Sequence, residues 1–92
     1  MDLEWDENKN AQNIKKHGID FNNIADTFDT EMLIKRDERE NYGEDRFIGI
    51  GKIKNIEIVI VWTKRDEKIR IISARQANKK ERKSYNDKTN KN

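Results

Sequence analysis

Apolar residues recur at every second position through the C-terminal half of the chain, a period that predicts β-strands. Residues 56–63 are apolar on both alternating faces, which is typical of a central strand. Residues 46–52 and 68–74 alternate in the same way and flank that strand through short connections, which predicts an antiparallel meander. The pattern changes at Asn78 and Glu81, whose spacing is that of a capping box at the start of a helix.

The N-terminal third shows helical spacing instead. Asp6 is a natural N-cap and Gly18 suits the left-handed position after a helix, so a first helix is predicted between them. Apolar residues at positions 21, 24, 25 and 28 form a single stripe, which predicts a second helix. With a short strand at residues 32–34, the whole pattern predicts an α+β fold. In it, an N-terminal helical hairpin packs on a small antiparallel sheet of about four strands, followed by a C-terminal helix.

Composition sets the size of the core and the number of domains. The 92 residues are 33% hydrophobic and 41% charged, so they suffice for one small domain with a thin core. The residues after Tyr85 include no apolar side chain, so we predict a single domain at residues 1–86 and a disordered tail at 87–92. Cysteine is absent, and no stretch has the features of a signal peptide or a membrane span. We therefore expect a cytoplasmic protein that does not engage membranes.

The charges divide the chain into an acidic and a basic half. Residues 1–45 hold 13 acidic and 6 basic side chains, a balance of −7, whereas residues 46–92 hold 5 acidic and 14 basic, a balance of +9. Such asymmetry predicts two surfaces with different partners, the basic one facing an anion. The alternative is a small polar domain that is simply solvated by its charges.

Several basic side chains fall near the ends of predicted neighbouring strands. Because adjacent strands lie about 4.8 Å apart, their terminal side chains can converge on one phosphate and stabilise charge that develops during phosphoryl transfer. The alternative is that they form surface ion pairs with the acidic half, each of which contributes little. These residues are Arg46, Lys64, Arg65, Arg70 and Arg75.

Other side chains have chemistry that could assist. His17 could transfer a proton, although it could equally stabilise the C-terminus of the first helix. Tyr85 could stack on a base or donate a proton, or it could anchor the last helix to the sheet. With one histidine and no cysteine, no metal or cofactor site is predicted. The last helix adds further cations that could bind RNA: Lys79, Lys80, Arg82 and Lys83.

The chain resembles a known family in two segments. One is RIISAR-x-A-x-x-x-ER-x-x-Y at residues 70–85, preceded by WTKR at 62–65. The other comprises Trp5-Asp6, Lys9, Asn13 and Lys16-His17-Gly18. Together they resemble BrnT-type toxins of type II toxin–antitoxin modules, which have a RelE/ParE-like fold.

The resemblance implies an endoribonuclease that works without metal. In such an enzyme the 2′-hydroxyl of RNA attacks the adjacent phosphorus, and cleavage blocks translation. On this reading Arg65 and Arg75 form the centre of the site, supported by Lys64, Arg70 and Arg46, with His17 and Tyr85 as secondary candidates.

The resemblance also implies partners. The expected ones are an RNA substrate and a cognate BrnA-type antitoxin with a ribbon-helix-helix DNA-binding part, so operator DNA would be reached only through the antitoxin complex. The alternatives are a nucleic-acid-binding module without catalysis and a pure protein-interaction module.

Overall fold

A computed structural model describes residues 2–89, which form one five-stranded sheet with helices at its edge and on both faces. The sheet order is β1-β5-β4-β3-β2. In chain order the elements are β1 (Leu3–Glu4), α1 (Glu7–His17), 3₁₀ helices at Phe21–Asn23 and Ala25–Asp29, β2 (Leu33–Arg36), β3 (Arg46–Ile53), β4 (Ile56–Arg65), β5 (Lys68–Gln76) and α2 (Lys79–Thr89).

The sheet is mixed rather than antiparallel. Strands β2 to β5 pair antiparallel in sequence order, and β1 joins β5 in parallel, with Leu3 opposite Ile69. The Ile69 N–H also donates to the Asp2 carbonyl at 2.9 Å. The prediction of an antiparallel sheet of about four strands is therefore wrong, because a two-residue strand carries no pattern that fixes its partner or direction.

The prediction of a helical hairpin is also wrong, because its second α-helix, at residues 21–28, does not form. Helix α1 forms between the expected caps, and Gly18 has φ 73° with its N–H donating to the Ile14 carbonyl at 2.8 Å. Two short 3₁₀ helices replace the second helix. Phe21, Ile24 and Thr27 are buried at intervals of three, which matches the three residues per turn of a 3₁₀ helix.

Helix α1 uses asparagines to attach to the edge of β5. The Asn13 amide nitrogen donates to the carbonyls of Ile19 (2.9 Å) and Ala74 (2.8 Å), and its oxygen accepts the Ala74 N–H at 3.1 Å. The Asn10 oxygen accepts the Phe21 N–H at 2.8 Å. Strand β1 pairs with β5 only as far as Arg70, so Asn13 provides the hydrogen-bond partners of the Ala74 backbone further along that edge.

The 3₁₀ segment covers one face of the sheet, which we call the inner face. Its core contains Ile58, Ile60 and Trp62 from β4. The two glycines of β3 make room for it: a Cβ on Gly49 would lie 2.8 Å from the Trp62 ring, and one on Gly51 would lie 2.6 Å from the Thr27 methyl carbon. The inner face therefore depends on close packing.

The opposite face, which we call the outer face, carries alternating aliphatic and basic residues. Helix α2 lies over part of it and includes residues 87–89 of the segment predicted as a tail, whereas 90–92 lie outside the described residues. By strand alternation and register, the outer-face residues are Leu33 and Lys35 of β2, Arg46, Ile48, Ile50 and Lys52 of β3, Glu57, Val59, Val61, Thr63 and Arg65 of β4, and Lys68, Arg70, Ser73 and Arg75 of β5.

Candidate functional site

Three arginines lie at one end of the outer face, and we call them the arginine cluster: Arg46, Arg65 and Arg70. Thr63 is opposite Arg46 on β3 and opposite Arg70 on β5, so the two arginines flank it in one cross-strand row. Since strands are about 4.8 Å apart, their Cα atoms are separated by about 10 Å. Arg65 lies two residues further along β4 on the same face.

Carboxylates hold each guanidinium of the cluster. Glu44 bridges two of them, with Oε2 3.1 Å from the Arg46 Nε and Oε1 3.6 Å from an Arg65 terminal nitrogen. The Arg70 guanidinium lies 2.7 Å from a carboxylate oxygen of Glu4 on β1. A phosphate has the oxygen geometry that these carboxylates present, so it can take their place.

The loop between β2 and β3 contacts the cluster through Tyr42 and Glu44. Asp37 is buried there and accepts two bonds from the Arg39 guanidinium, at 2.8 and 2.7 Å. That contact holds the pKa of Asp37 near 2, well below its usual value, despite its burial. The Tyr42 ring stacks under Arg46, 4.1 Å from ring centroid to guanidinium carbon.

Arg75 lies apart from the cluster. It is opposite Val59, six residues from Arg65 along β4, which corresponds to about 20 Å. Antiparallel pairing causes the separation, because the C-terminal ends of β4 and β5 point in opposite directions. The structure therefore does not bring Arg65 and Arg75 together.

Arg75 instead joins β5 to helix α2. Its two terminal nitrogens each lie 2.8 Å from a Glu81 oxygen. The bidentate bond lowers the pKa of Glu81 to about 2 and raises that of Arg75. Glu81 and Asn78 also form the predicted capping box, with both reciprocal bonds at 2.8 Å.

The remaining predicted residues lie toward the inner face, on helix α2 and at the end of helix α1. Lys64 lies toward the inner face, with its ammonium 5.9 Å from the Phe47 ring centroid. Tyr85 is buried, its hydroxyl donates to the Glu31 carbonyl at 2.9 Å, and burial raises its pKa. His17 ends α1 and lines a cleft at the β5 edge together with Ser73.

The cations of α2 have different surroundings. The Arg82 guanidinium donates to the Ala77 carbonyl at 2.9 Å, and the Lys83 ammonium lies 2.7 Å from Asp87. Lys79 and Lys80 are exposed in the first turn of the helix. All four therefore extend the basic surface beyond Arg75.

Neither a metal-binding cluster nor a membrane-spanning helix is found in the part of the chain that the structure describes. Within residues 2–89, no group of three His, Cys, Asp or Glu side chains is arranged to hold a metal ion. None of the helices in that range is long and apolar enough to cross a membrane.

Comparison with known proteins identifies the family. None of the curated proteins compared with the chain matches it significantly. Residues 5–81 match the family model described as ribonuclease toxin, BrnT, of type II toxin-antitoxin system, and that range includes the arginine cluster, Arg75 and His17. The chain therefore belongs to the BrnT family of ribonuclease toxins of type II toxin–antitoxin systems.

Proposed function

We propose that this toxin is a metal-independent endoribonuclease whose cleavage centre is the arginine cluster. Three guanidinium groups on one face, all held by carboxylates, support this assignment. Arginine binds phosphate oxygens bidentately and cannot lose its proton, so the cluster is suited to a phosphodiester under attack. Displacing Glu44 and Glu4 by phosphate exchanges one set of charge-assisted bonds for another.

The reaction needs no nucleophile from the protein. The 2′-hydroxyl oxygen attacks the adjacent phosphorus while the bond from phosphorus to the 5′-oxygen breaks, which yields a 2′,3′-cyclic phosphate and a 5′-hydroxyl. One proton leaves the 2′-hydroxyl and one joins the 5′-oxygen. Negative charge increases on the phosphoryl oxygens in between, and guanidinium groups fixed beforehand stabilise it.

His17 is our proposed carrier for one of these protons. Its cleft includes Ser73, which is opposite Val61, two residues along β4 from the Arg70 row, or about 7 Å. One imidazole nitrogen can accept a proton while the other donates one, so the side chain is suited to proton transfer. The buried Tyr85 hydroxyl already donates to a carbonyl, so we assign Tyr85 to holding α2 on the sheet.

We assign Arg75 and the cations of α2 to binding RNA at a second position. Arg75 is about 20 Å from Arg65 and about 13 Å from Arg70 along the strands, so we assign it to a different phosphate from the one at the cluster. Lys79, Lys80, Arg82 and Lys83 continue that surface along the helix. Exposed lysines and arginines bind the backbone without reading its sequence, with strong dependence on salt.

The family implies a cognate antitoxin. We propose that it is of the BrnA type, that it covers the basic surface, and that the complex reaches operator DNA through the antitoxin's ribbon-helix-helix part. RNA cleavage in the cytoplasm by free toxin would then stop translation, without any membrane partner.

The test is cleavage of RNA by the purified toxin in excess EDTA, with analysis of product ends. We expect cyclic phosphate termini, a kcat lower by about 10²–10³ in Arg70→Ala, and mainly a higher KM in Arg75→Ala. Arg36→Ala is the matched control, because Arg36 pairs with Asp45 at the surface outside the cluster. Cleavage that requires added divalent metal would contradict the proposed mechanism, and RNA binding without cleavage would favour a non-catalytic module.

A further inference from the structure

An apolar groove lies between helix α2 and the edge of the sheet. It has a volume of about 360 Å³, and its floor is formed by Leu33, Ile48, Ile50 and Val59 of the outer face. Ser84 lines its wall on α2. The groove opens beside β2, an edge strand on which Ile34 is 52% exposed.

The chemistry of this floor suits a protein better than RNA. Bases bind by stacking on aromatic rings or guanidinium planes, whereas these four floor residues are aliphatic. Aliphatic grooves bind apolar side chains of partner segments, and edge strands offer free backbone groups to an added strand.

The charged residues on the rim of the groove favour a negatively charged partner. Lys35 and Lys80 line it, and within residues 2–89 neither lies in an ion pair. Glu81 also lines it, but both its oxygens bond to Arg75. Two unpaired ammonium groups beside an aliphatic floor therefore select apolar side chains flanked by carboxylates.

We propose that this groove is the docking site for a segment of the cognate antitoxin that presents apolar side chains between acidic residues. The segment inserts its apolar side chains against Ile48 and Ile50 and directs its carboxylates to Lys35 and Lys80. Since the groove adjoins Arg75, its occupant also blocks the RNA path, a consequence that rests on the proposed function.

A filled groove provides the test. Ser84→Trp places an indole on the wall of the groove without changing charge, and Asn8→Trp adds the same side chain at an exposed position of α1. We expect Ser84→Trp to raise the Kd for the cognate antitoxin at least tenfold and Asn8→Trp to leave it within twofold. Lys80→Glu should weaken binding less strongly, and increasingly so at low salt.

Several outcomes overturn the proposal. One is wild-type antitoxin affinity in a Ser84→Trp toxin that circular dichroism shows to be folded. Another is loss of RNA binding by Ser84→Trp without loss of antitoxin binding, which would assign the groove to RNA. If Ser84→Trp does not fold, hydrogen exchange of the wild-type toxin with and without antitoxin is the test. Docking in the groove requires slower exchange at residues 33–36 and 80–84 in the complex, and unchanged exchange there overturns the proposal.

Failure of the two proposals can be told apart. A wild-type toxin that cleaves no RNA, but binds antitoxin through a groove sensitive to Ser84→Trp, refutes the proposed cleavage mechanism and leaves the docking site intact. A toxin that cleaves RNA and binds antitoxin equally well with the groove filled refutes only the docking site.

Discussion

The inner and outer faces of the sheet are built by alternate residues of the same strands, yet they use their side chains differently. On the inner face, Trp62 packs edge-on against Phe28 at 5.1 Å between ring centroids and stacks on Phe47 at 6.0 Å. On the outer face, arginines are paired with carboxylates at partly exposed positions. Substitutions should therefore separate into those that change stability and those that change activity, according to the face they occupy.

The largest effect is expected from removing the central side chain of the inner face. Trp62 is 4% exposed, so Trp62→Ala leaves a cavity and should lower the free energy of unfolding by about 3–5 kcal/mol. Urea denaturation measures it, with the half-exposed Ile56→Ala of the same strand as control. An equal change in both variants would contradict the assignment of the core to this face.

A comparable effect, but on activity alone, is expected from the outer face. Arg65 is about half exposed and shares Glu44 with Arg46, so Arg65→Ala should change stability by less than about 1 kcal/mol. RNA cleavage should fall by about 10²–10³. Arg65→Lys should also impair cleavage, since an ammonium cannot bind phosphate bidentately. Full activity in both folded variants would remove Arg65 from the site.

A smaller loss of stability is expected where helix α1 meets β5. Asn13→Ala removes three hydrogen bonds and leaves buried backbone groups of Ala74 and Ile19 without partners, at a cost of about 1–3 kcal/mol. Hydrogen exchange should show increased opening at residues 72–76. Gln12→Ala, on the exposed neighbouring position, should leave both measurements unchanged, and an equal loss there would contradict the role of Asn13.

Sequence reasoning located the strands of the meander, both caps of α1 and the N-terminal capping box of α2, because these depend on local periodicity and spacing. It missed the parallel partner of β5, since Leu3–Glu4 is too short to carry a pattern. It also predicted an α-helix at residues 21–28. The apolar residues there are spaced by three and by four, so their pattern fits an α-helix as well as 3₁₀ turns. Tertiary packing of Phe21 and Ile24 favours the tighter 3₁₀ turns.

The candidate site was predicted by residue type better than by position. Arg46, Arg65 and Arg70 share a face and an end of the sheet, which alternation and short connections allow one to anticipate. Arg65 and Arg75 both lie near the C-terminal ends of their strands, and the prediction placed them together for that reason. Because β4 and β5 run antiparallel, those two ends lie at opposite ends of the sheet. The role of Glu44 was missed, because its contacts depend on how a charged loop folds back on β4.

The smallest effect is a shift in acid stability at the junction of β5 and α2. Arg75 holds the pKa of Glu81 near 2, below the ordinary 4.5, so the folded state binds this proton less readily than the unfolded chain. The contribution of the pair is therefore fully present above about pH 4.5 and is lost as the pH falls toward 2. Glu81→Gln should lower Tm at pH 7 by a few degrees at most, and the difference from wild type should shrink between pH 5 and pH 2.5. A difference in Tm that stays constant over this range would show that the ionised carboxylate of Glu81, and with it the pair with Arg75, does not contribute to stability.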